Sequence, residues 1–257
     1  MPKKYDLVSL SDNTIALILG SLLGDGSLKI HGGYTNARFT FRHSLKQLNY
    51  FNYKVSLLDE ISSDKSVFYQ KPDGFSPNGK VRYQSKALPS LTELYNFTHK
   101  RGQFQIRRNW LNQMTDLSLA IWWLDDCSII SNTRKGVFCT DGFDEKSVKI
   151  LARYLQVVWN IDTHVGSVYV KQRTGNKQHC YRIWIRSSEE LKKLCRIVAP
   201  HIHELDMLYK VIILYKDSEL QQRWISELVK LTDFTEEEIT SLVNERKAKL
   251  KIFQKKI

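Results

Sequence analysis

The sequence predicts an α+β fold of two pseudo-symmetric halves, each an αββαββα unit with its strands in antiparallel sheets. Three observations carry this. Two apolar helical runs, Ile18-Leu19-Gly20-Ser21-Leu22-Leu23-Gly24-Asp25-Gly26 and Leu119-Ala120-Ile121-Trp122-Trp123-Leu124-Asp125-Asp126-Cys127, each end in a carboxylate, and Asp25 and Asp126 are 101 residues apart (126 minus 25). The amphipathic stripes that follow recur 100 residues on: Leu48, Phe51, Val55 and Leu58 are matched by Val148, Leu151, Leu155 and Val158, and Leu91 and Leu94 by Leu191 and Leu194. Each half also carries paired strand signals. Elements repeating in register make an internal duplication the simplest explanation.

The elements follow in order. In the first run Gly20 and Gly24 are four apart, so they share a helix face and permit close backbone approach to a partner helix. In the second run Ala120 is expected opposite them, with Trp122, Trp123 and Leu124 filling the cores. Lys29 and His31, before Gly32-Gly33, read as a strand and its turn. Ala37, Phe39 and Phe41 alternate with Arg38, Thr40 and Arg42, the period of a half-buried strand with a basic face. Strands over 67–71 and 81–86 flank a turn-rich stretch with Asp73-Gly74, Pro77 and Asn78-Gly79, and the second would expose Arg82, Gln84 and Lys86.

The later half repeats this arrangement. Strands over 165–173 and 180–186 straddle Gly175-Asn176, a hairpin connection. Tyr169, Lys171 and Arg173 alternate with valines, and Arg182, Trp184 and Arg186 alternate with isoleucines. Alternating cations are also what a plain solvated sheet face carries. Beyond the repeats, Thr235 and Glu238 form a capping box, and Arg246, Lys247, Lys249, Lys251, Lys255 and Lys256 crowd a basic tail. This divides the chain into a first half over 1–103, a second over 104–214 and a helical basic extension over 215–257.

The acids are placed against the local field. A helix C-terminus carries partial negative charge, so an anion there loses a few tenths to about 1 kcal/mol. Two carboxylates brought together across a pseudo-twofold axis would repel by roughly 4 kcal/mol at about 4 Å in an effective dielectric near 20. Divalent cations relieve both penalties, and hard oxygen ligands suit Mg²⁺. Each Asp taken alone also reads as an ordinary stop at the end of a core helix.

Composition narrows the class. At 257 residues with 42% hydrophobic content the chain can build a substantial core without staples. Cys127, Cys139, Cys180 and Cys195 have neither C-x-x-C nor His-partnered spacing, so reduced thiols are expected rather than disulfides or zinc. The apolar run from Ile15 to Leu23 is interrupted at Gly20 and Ser21 and is shorter than the ~20 residues of a membrane span, so a soluble, intracellular protein without membrane partner is expected. A net charge of +12 implies a polyanionic partner.

The two motif segments resemble the signature helices of the LAGLIDADG homing endonucleases, in the single-chain form that carries the motif twice. Aligned on the nine-residue motif, the eighth position is Asp25 in one copy and Asp126 in the other; the ninth is Gly26, then Cys127, a departure from the family's glycine. The resemblance covers most of residues 10–214. It implies a monomer whose antiparallel sheets form a saddle on double-stranded DNA. Each half would read one half-site of a long target, and a double-strand break would follow by phosphodiester hydrolysis with two or more Mg²⁺ ions, for which Mn²⁺ could substitute.

By that resemblance Asp25 and Asp126 hold the metals, aided by the backbone carbonyls of Gly24 and Asp125. Lys210, after Tyr209, matches the family's lysine context in the second half; Lys100 is its counterpart by position, with Arg101 and Arg107 as competitors. His43 and Asp141 are candidates for positioning water, or else plain turn residues. The base-contacting set is Lys29, His31, Arg38, Thr40, Arg42, Arg82, Gln84 and Lys86 in the first half. Tyr169, Lys171, Arg173, Arg182, Trp184 and Arg186 complete it in the second. Relatives that act as group I intron RNA maturases make RNA an alternative partner, alone or in a dual function, and intron encoding would place the protein in an organelle. A DNA-binding regulator without catalysis would be expected to lose an acid, and both are present.

Overall fold

The computed structural model describes residues 10–72, 78–131, 133–171 and 175–254. The first half runs α1 (Asp12–Leu22), β1 (Ser27–Lys29), β2 (Arg38–Ser44), α2 (Leu48–Ser56), β3 (Val67–Gln70), β4 (Lys80–Gln84) and α3 (Pro89–Thr98). A two-stranded hairpin, β5 (His99–Lys100) with β6 (Gln103–Phe104), and the short α4 (Arg108–Leu111) lead into the second half. There α5 (Asp116–Asp126), β7 (Cys127–Ile129), β8 (Gly136–Phe138), α6 (Glu145–Trp159), β9 (His164–Lys171), β10 (Lys177–Ile185) and α7 (Ser188–Val198) repeat the order. Two further helices follow, α8 (Ser218–Leu231) and α9 (Glu236–Ala248).

Each half builds one four-stranded antiparallel sheet, in the order β1-β2-β4-β3 and then β7-β8-β10-β9. Setting Asp25 on Asp126 superposes the strand registers: Ser27 pairs with Thr40 as Ser128 pairs with Val137, and Thr40 pairs with Gln84 as Val137 pairs with Trp184. The duplication expected from the sequence is therefore present as an αββαββα repeat.

The two motif helices α1 and α5 pack against each other at the centre. A Cβ built on Gly20 would lie 2.4 Å from the Ser118 carbonyl oxygen, and one on Gly24 would lie 2.6 Å from the Asp125 Cβ. Close approach at both glycines is thus a steric requirement. The facing residues are Ser118, Ile121 and Asp125 rather than Ala120, because spacings of three and four select one side of α5 and Ala120 falls off it. Trp122 and Trp123 are wholly buried as core anchors.

The α2 stripe is rotated from its expected phase. Tyr50, Phe51, Lys54 and Leu58 are buried, whereas Leu48 and Val55 only pack at the margin. In α6 the buried set is Val148, Leu151, Tyr154 and Leu155, with Val158 exposed. β1 stops at Lys29 and β4 at Gln84, leaving His31 and Lys86 outside the strands. Asp73-Gly74, Pro77, Arg173, Lys255 and Lys256 lie outside the described residues.

The C-terminal helices are not a separate appendage. Trp224, Ile225 and Leu228 of α8 and Ile239 and Val243 of α9 join the common core, and the Trp224 indole donates to the Val211 carbonyl at 3.1 Å. Thr235 and Glu238 make the expected capping box. Arg246 turns inward to donate to the Tyr209 carbonyl, so it is not a free tail cation. Among the described residues all four cysteines are free thiols, and no helix is long and apolar enough to cross a membrane.

Gly20→Ala tests the helix contact. Helix propensity would favour alanine by about 1 kcal/mol, but the added methyl meets a backbone carbonyl of α5 that cannot swing away. We expect a net loss of about 1–3 kcal/mol, read as a lower denaturation midpoint in urea.

Candidate active site

The two copies of the motif end differently. α1 stops at Leu22, and the Gly26 amide returns to the Ser21 carbonyl at 2.7 Å, holding Asp25 in a tight turn. A Cβ on Gly26 would lie 2.6 Å from that of Ser21, which is why glycine stands there. α5 instead continues through Asp126, and Cys127 leaves it in extended backbone as the first residue of β7. Extended geometry admits any side chain, so the second copy tolerates cysteine.

Between the two ends sits a buried carboxylate. The Asp125 side chain is fully buried at the α1–α5 contact and accepts from the Tyr50 hydroxyl at 2.9 Å and from Lys54 Nζ at 2.9 Å on each oxygen. Lys54 Nζ also lies 4.5 Å from the centroid of the Phe41 ring. Burial alone would raise the Asp125 carboxyl; the Lys54 charge and the hydrogen bonds outweigh it and hold the group below its ordinary value. The Asp25 amide faces the same carboxylate at 3.4 Å.

Asp25 and Asp126 stand on either side of this hub. Burial, then the charges of Asp125 and Asp126, push Asp25 up to about 7 against the pull of Lys54 and Lys210. Burial, then Asp125, push Asp126 up to about 6. The sequence therefore does bring its two motif acids within reach of each other's charge, with a third carboxylate beside them.

His43, on the buried face of β2, points Nδ1 at Asp25 Oδ2 at 3.5 Å and Nε2 at Asp125 Oδ1 at 3.9 Å. Burial, then the nearby Lys54 charge, lower its pKa to about 4, so the imidazole is neutral at physiological pH. One donor atom each from Asp25, His43 and Asp125 lie within 4.8 Å of one another. Hard carboxylate oxygens beside a neutral imidazole, in a region of excess negative charge, fit a divalent cation.

Lys210 closes the second side. It is buried, donates to the Cys127 carbonyl at 2.6 Å, and has its own carbonyl held by the Trp123 indole at 2.9 Å. A residue distant in sequence is thereby clamped onto the end of α5. Lys100 sits elsewhere: it is exposed on β5, paired with Gln103, while Lys54 and Lys210 are the cations that act most on the acids. Arg107 is spent on the Phe97 carbonyl at 2.6 Å, and Arg101 occupies the hairpin turn.

Asp141 forms a bidentate pair with Arg182 at 2.7 and 2.6 Å, and its charge reaches Asp126. Strand register makes Thr140, rather than Asp141, the counterpart of His43, so the two candidates are not symmetry mates.

The solvent face of the first sheet gathers Lys29 beside Arg38, Thr40 beside Gln84 and Arg42 beside Arg82. His31 and Lys86 lie in flanking loops. In the second sheet Arg182 and Trp184 occupy the corresponding face, with the Trp184 ring over Gly166, and exposed Arg186 follows the end of β10. The β9–β10 register corrects the expected surface. Tyr169 pairs with His179 and Lys171 with Lys177, on the side of Ile183, so both point away from Arg182 and Trp184. A single odd-numbered offset decides this, because side chains alternate between faces.

Tyr50, Lys54 and the Asp125 carboxylate escaped sequence reasoning. Their signals were a lysine four residues from a tyrosine within an otherwise apolar stripe, and a second acid closing the run of buried tryptophans.

Residues 15–194 match the model of the LAGLIDADG DNA endonuclease family. The chain belongs to this family. Among curated relatives it is 28% identical over 218 residues to the protein RecA of Mycobacterium gastri, covering 79% of this chain and 48% of that one. It is 28% identical over 203 residues to the cytochrome b mRNA maturase bI2 of Saccharomyces cerevisiae, covering 75% and 46%. The chain thus spans about half the length of these relatives. The LAGLIDADG fold is shared with the homing endonuclease I-WcaI, solved bound to its DNA recognition sequence, at a TM-score of 0.66 and 20% identity over 81% of this chain and 89% of that one.

Two outcomes test the geometry. Lys54→Met should lower stability by about 3–5 kcal/mol near neutral pH, since it strands a buried carboxylate. The loss should shrink as the pH falls and Asp125 takes up a proton, as followed by urea unfolding at several pH values. Raised carboxyl pKa values mean that the folded state binds more protons, so the stability contributed by Asp25 and Asp126 is lost as pH rises through about 6 to 7. Mg²⁺ should accordingly raise the melting temperature more at pH 8 than at pH 5.5; an equal rise at both would contradict a cation held by these acids.

Proposed function

We propose that the chain is a site-specific homing endonuclease that makes a double-strand break in a long DNA target by metal-dependent phosphodiester hydrolysis. The observation that carries this reading is the convergence of Asp25 and Asp126 at the junction of two sheets whose outer faces carry Lys29, Arg38, Arg42, Arg82 and Arg182.

In this reading Asp25 and Asp126 hold Mg²⁺ or Mn²⁺, with the carbonyls of Gly24 and Asp125 and the imidazole of His43 as further donors. Such ions, when bound, supply charge stabilisation at the leaving oxygen and acidify water for attack. The protein's own groups do the rest. Neutral His43 turns an Nε2 without protein hydrogen-bond partner toward the acids, where it can orient water. Lys210, clamped by Trp123 and Cys127, keeps a positive charge beside Asp126, and Lys54 does so at the hub through Asp125. Asp141 pairs with Arg182 and adds its negative charge to the surroundings of Asp126. Lys100 enters this reading as a phosphate contact rather than as an active-site base.

Recognition would rest on the sheets. A two-stranded ribbon fits the major groove, where Arg and Lys read guanine and Gln reads adenine. Arg38, Thr40, Arg42, Arg82 and Gln84 would meet one half-site of a monomer-bound duplex, and Arg182, Trp184 and Arg186 the other, with Lys29, His31 and Lys86 toward the flanking phosphates. The likeness to the yeast mRNA maturase supports an RNA partner as a second activity, with an organellar setting if the gene lies in an intron.

The decisive experiment incubates the protein with a randomised DNA library and Mg²⁺. The parent should cut, and Asp25→Asn or Asp126→Asn should abolish double-strand cleavage while retaining binding. Binding without cutting under either Mg²⁺ or Mn²⁺ would move the reading to a regulator or maturase. DNA affinity should also fall steeply with salt, about one power of concentration per phosphate contact.

A further inference from the structure

The helix-bearing face of the β9–β10 ribbon, turned away from Arg182 and Trp184, carries beyond the core residues Ile183 and Ile185 a feature that cleavage leaves unused. Tyr169, His179 and Tyr181 form a staircase of rings, with centroids 5.0 Å apart from Tyr169 to His179 and 4.9 Å from His179 to Tyr181. Tyr169 is 71% exposed. Beyond them Lys171 stands directly opposite Lys177. Like charges facing across a strand pair are destabilising, so the pair suits a face that meets a polyanion.

The staircase continues into a basic helix face. Tyr181 lies beside Glu145, whose charge is matched by Lys149 at 2.6 Å. Glu145 and Lys149 in turn line an open groove of about 490 Å³ together with Arg108, Lys146 and Arg153. Rings at one end and four cations at the other make one continuous track. The duplicated fold does not require it, because the matching register positions of the first half carry Lys71, Gly79 and Val81.

Stacking rings beside a line of cations bind unpaired bases and their backbone, whereas a duplex hides its base faces. The stems of the groove's charged side chains and Ile150 line it, but four of the five charged ends around it are cationic, which suits a polyanion. We propose that the track binds a single-stranded segment of RNA, the polynucleotide that offers unpaired bases without strand separation, on the face opposite the one that meets duplex DNA. Tyr169 and His179 stack bases, and Lys171, Lys177, Lys149 and Arg153 take phosphates.

Fluorescence anisotropy of the full chain with labelled oligo(U) of about 15 nucleotides, without divalent metal, tests this independently of cleavage. Lys177→Ala with His179→Ala should weaken RNA binding about tenfold or more, with an unchanged melting curve. Tyr169→Ala should weaken it and Tyr169→Phe should restore it. Arg82→Ala with Gln84→Ala should leave RNA affinity unaltered. The proposal is overturned by a parent that does not bind oligo(U), by a Lys177/His179 variant that binds as the parent does, by equal loss in the Arg82/Gln84 variant, or by oligo(dT) binding at least tenfold more tightly than oligo(U).

Discussion

The close crossing of α1 and α5 governs everything else in this molecule. Only because Gly20 and Gly24 lack side chains can the second helix lie against the first, and that proximity sets Asp125 between the two motif ends. A carboxylate so placed has lost its water. It persists because α2 brings Lys54 and Tyr50 to it, one cation and one hydroxyl that together satisfy both oxygens. Helix contact and charge compensation are therefore one constraint, and the acids on either side inherit their electrostatics from it.

That constraint also breaks the pseudo-twofold. Asp125 occupies the place that Gly24 holds in the first copy, and Tyr154 of α6 stands where α2 has Lys54. The first side thus carries an internal ion pair and His43, while the second carries Lys210 tied to the end of α5. Duplicated backbones have been furnished with different chemistry, and Asp25 and Asp126 feel different surroundings although their motif positions are equivalent. The same divergence appears on the opposite face of the sheets, where among the described residues the second ribbon bears the aromatic staircase and the matching positions of the first carry Lys71, Gly79 and Val81.

A family of nucleases has to reconcile a stable junction with a crowded negative centre. Here stability comes from the tryptophans and glycines of the motif helices, while the negative charge is left only partly compensated by Lys54 and Lys210. In the proposed function that residual excess is what receives divalent ions. The basic outer faces of the sheets are the complementary half of that arrangement, attractive to phosphates and remote enough to leave the acids uncancelled.

Much of this was legible in the chain itself. The repeat of the motif, the 100-residue recurrence of stripes and the strand alternation follow from local periodicity, and local periodicity determines element type, order and the positions of Asp25, Asp126, Gly20 and Gly24. Tertiary structure decided the rest, for reasons that periodicity cannot contain. The phase of α2 against its sheet chose Lys54 over Val55 for the interior, and strand register sent Tyr169 and Lys171 to the face opposite Arg182 and Trp184. Packing of α2 brought Lys54, rather than Lys100, to the acids beside the expected Lys210. Each is a matter of which surfaces meet across long stretches of sequence, and a one-residue change of phase or register reverses it without altering the pattern from which the element was read.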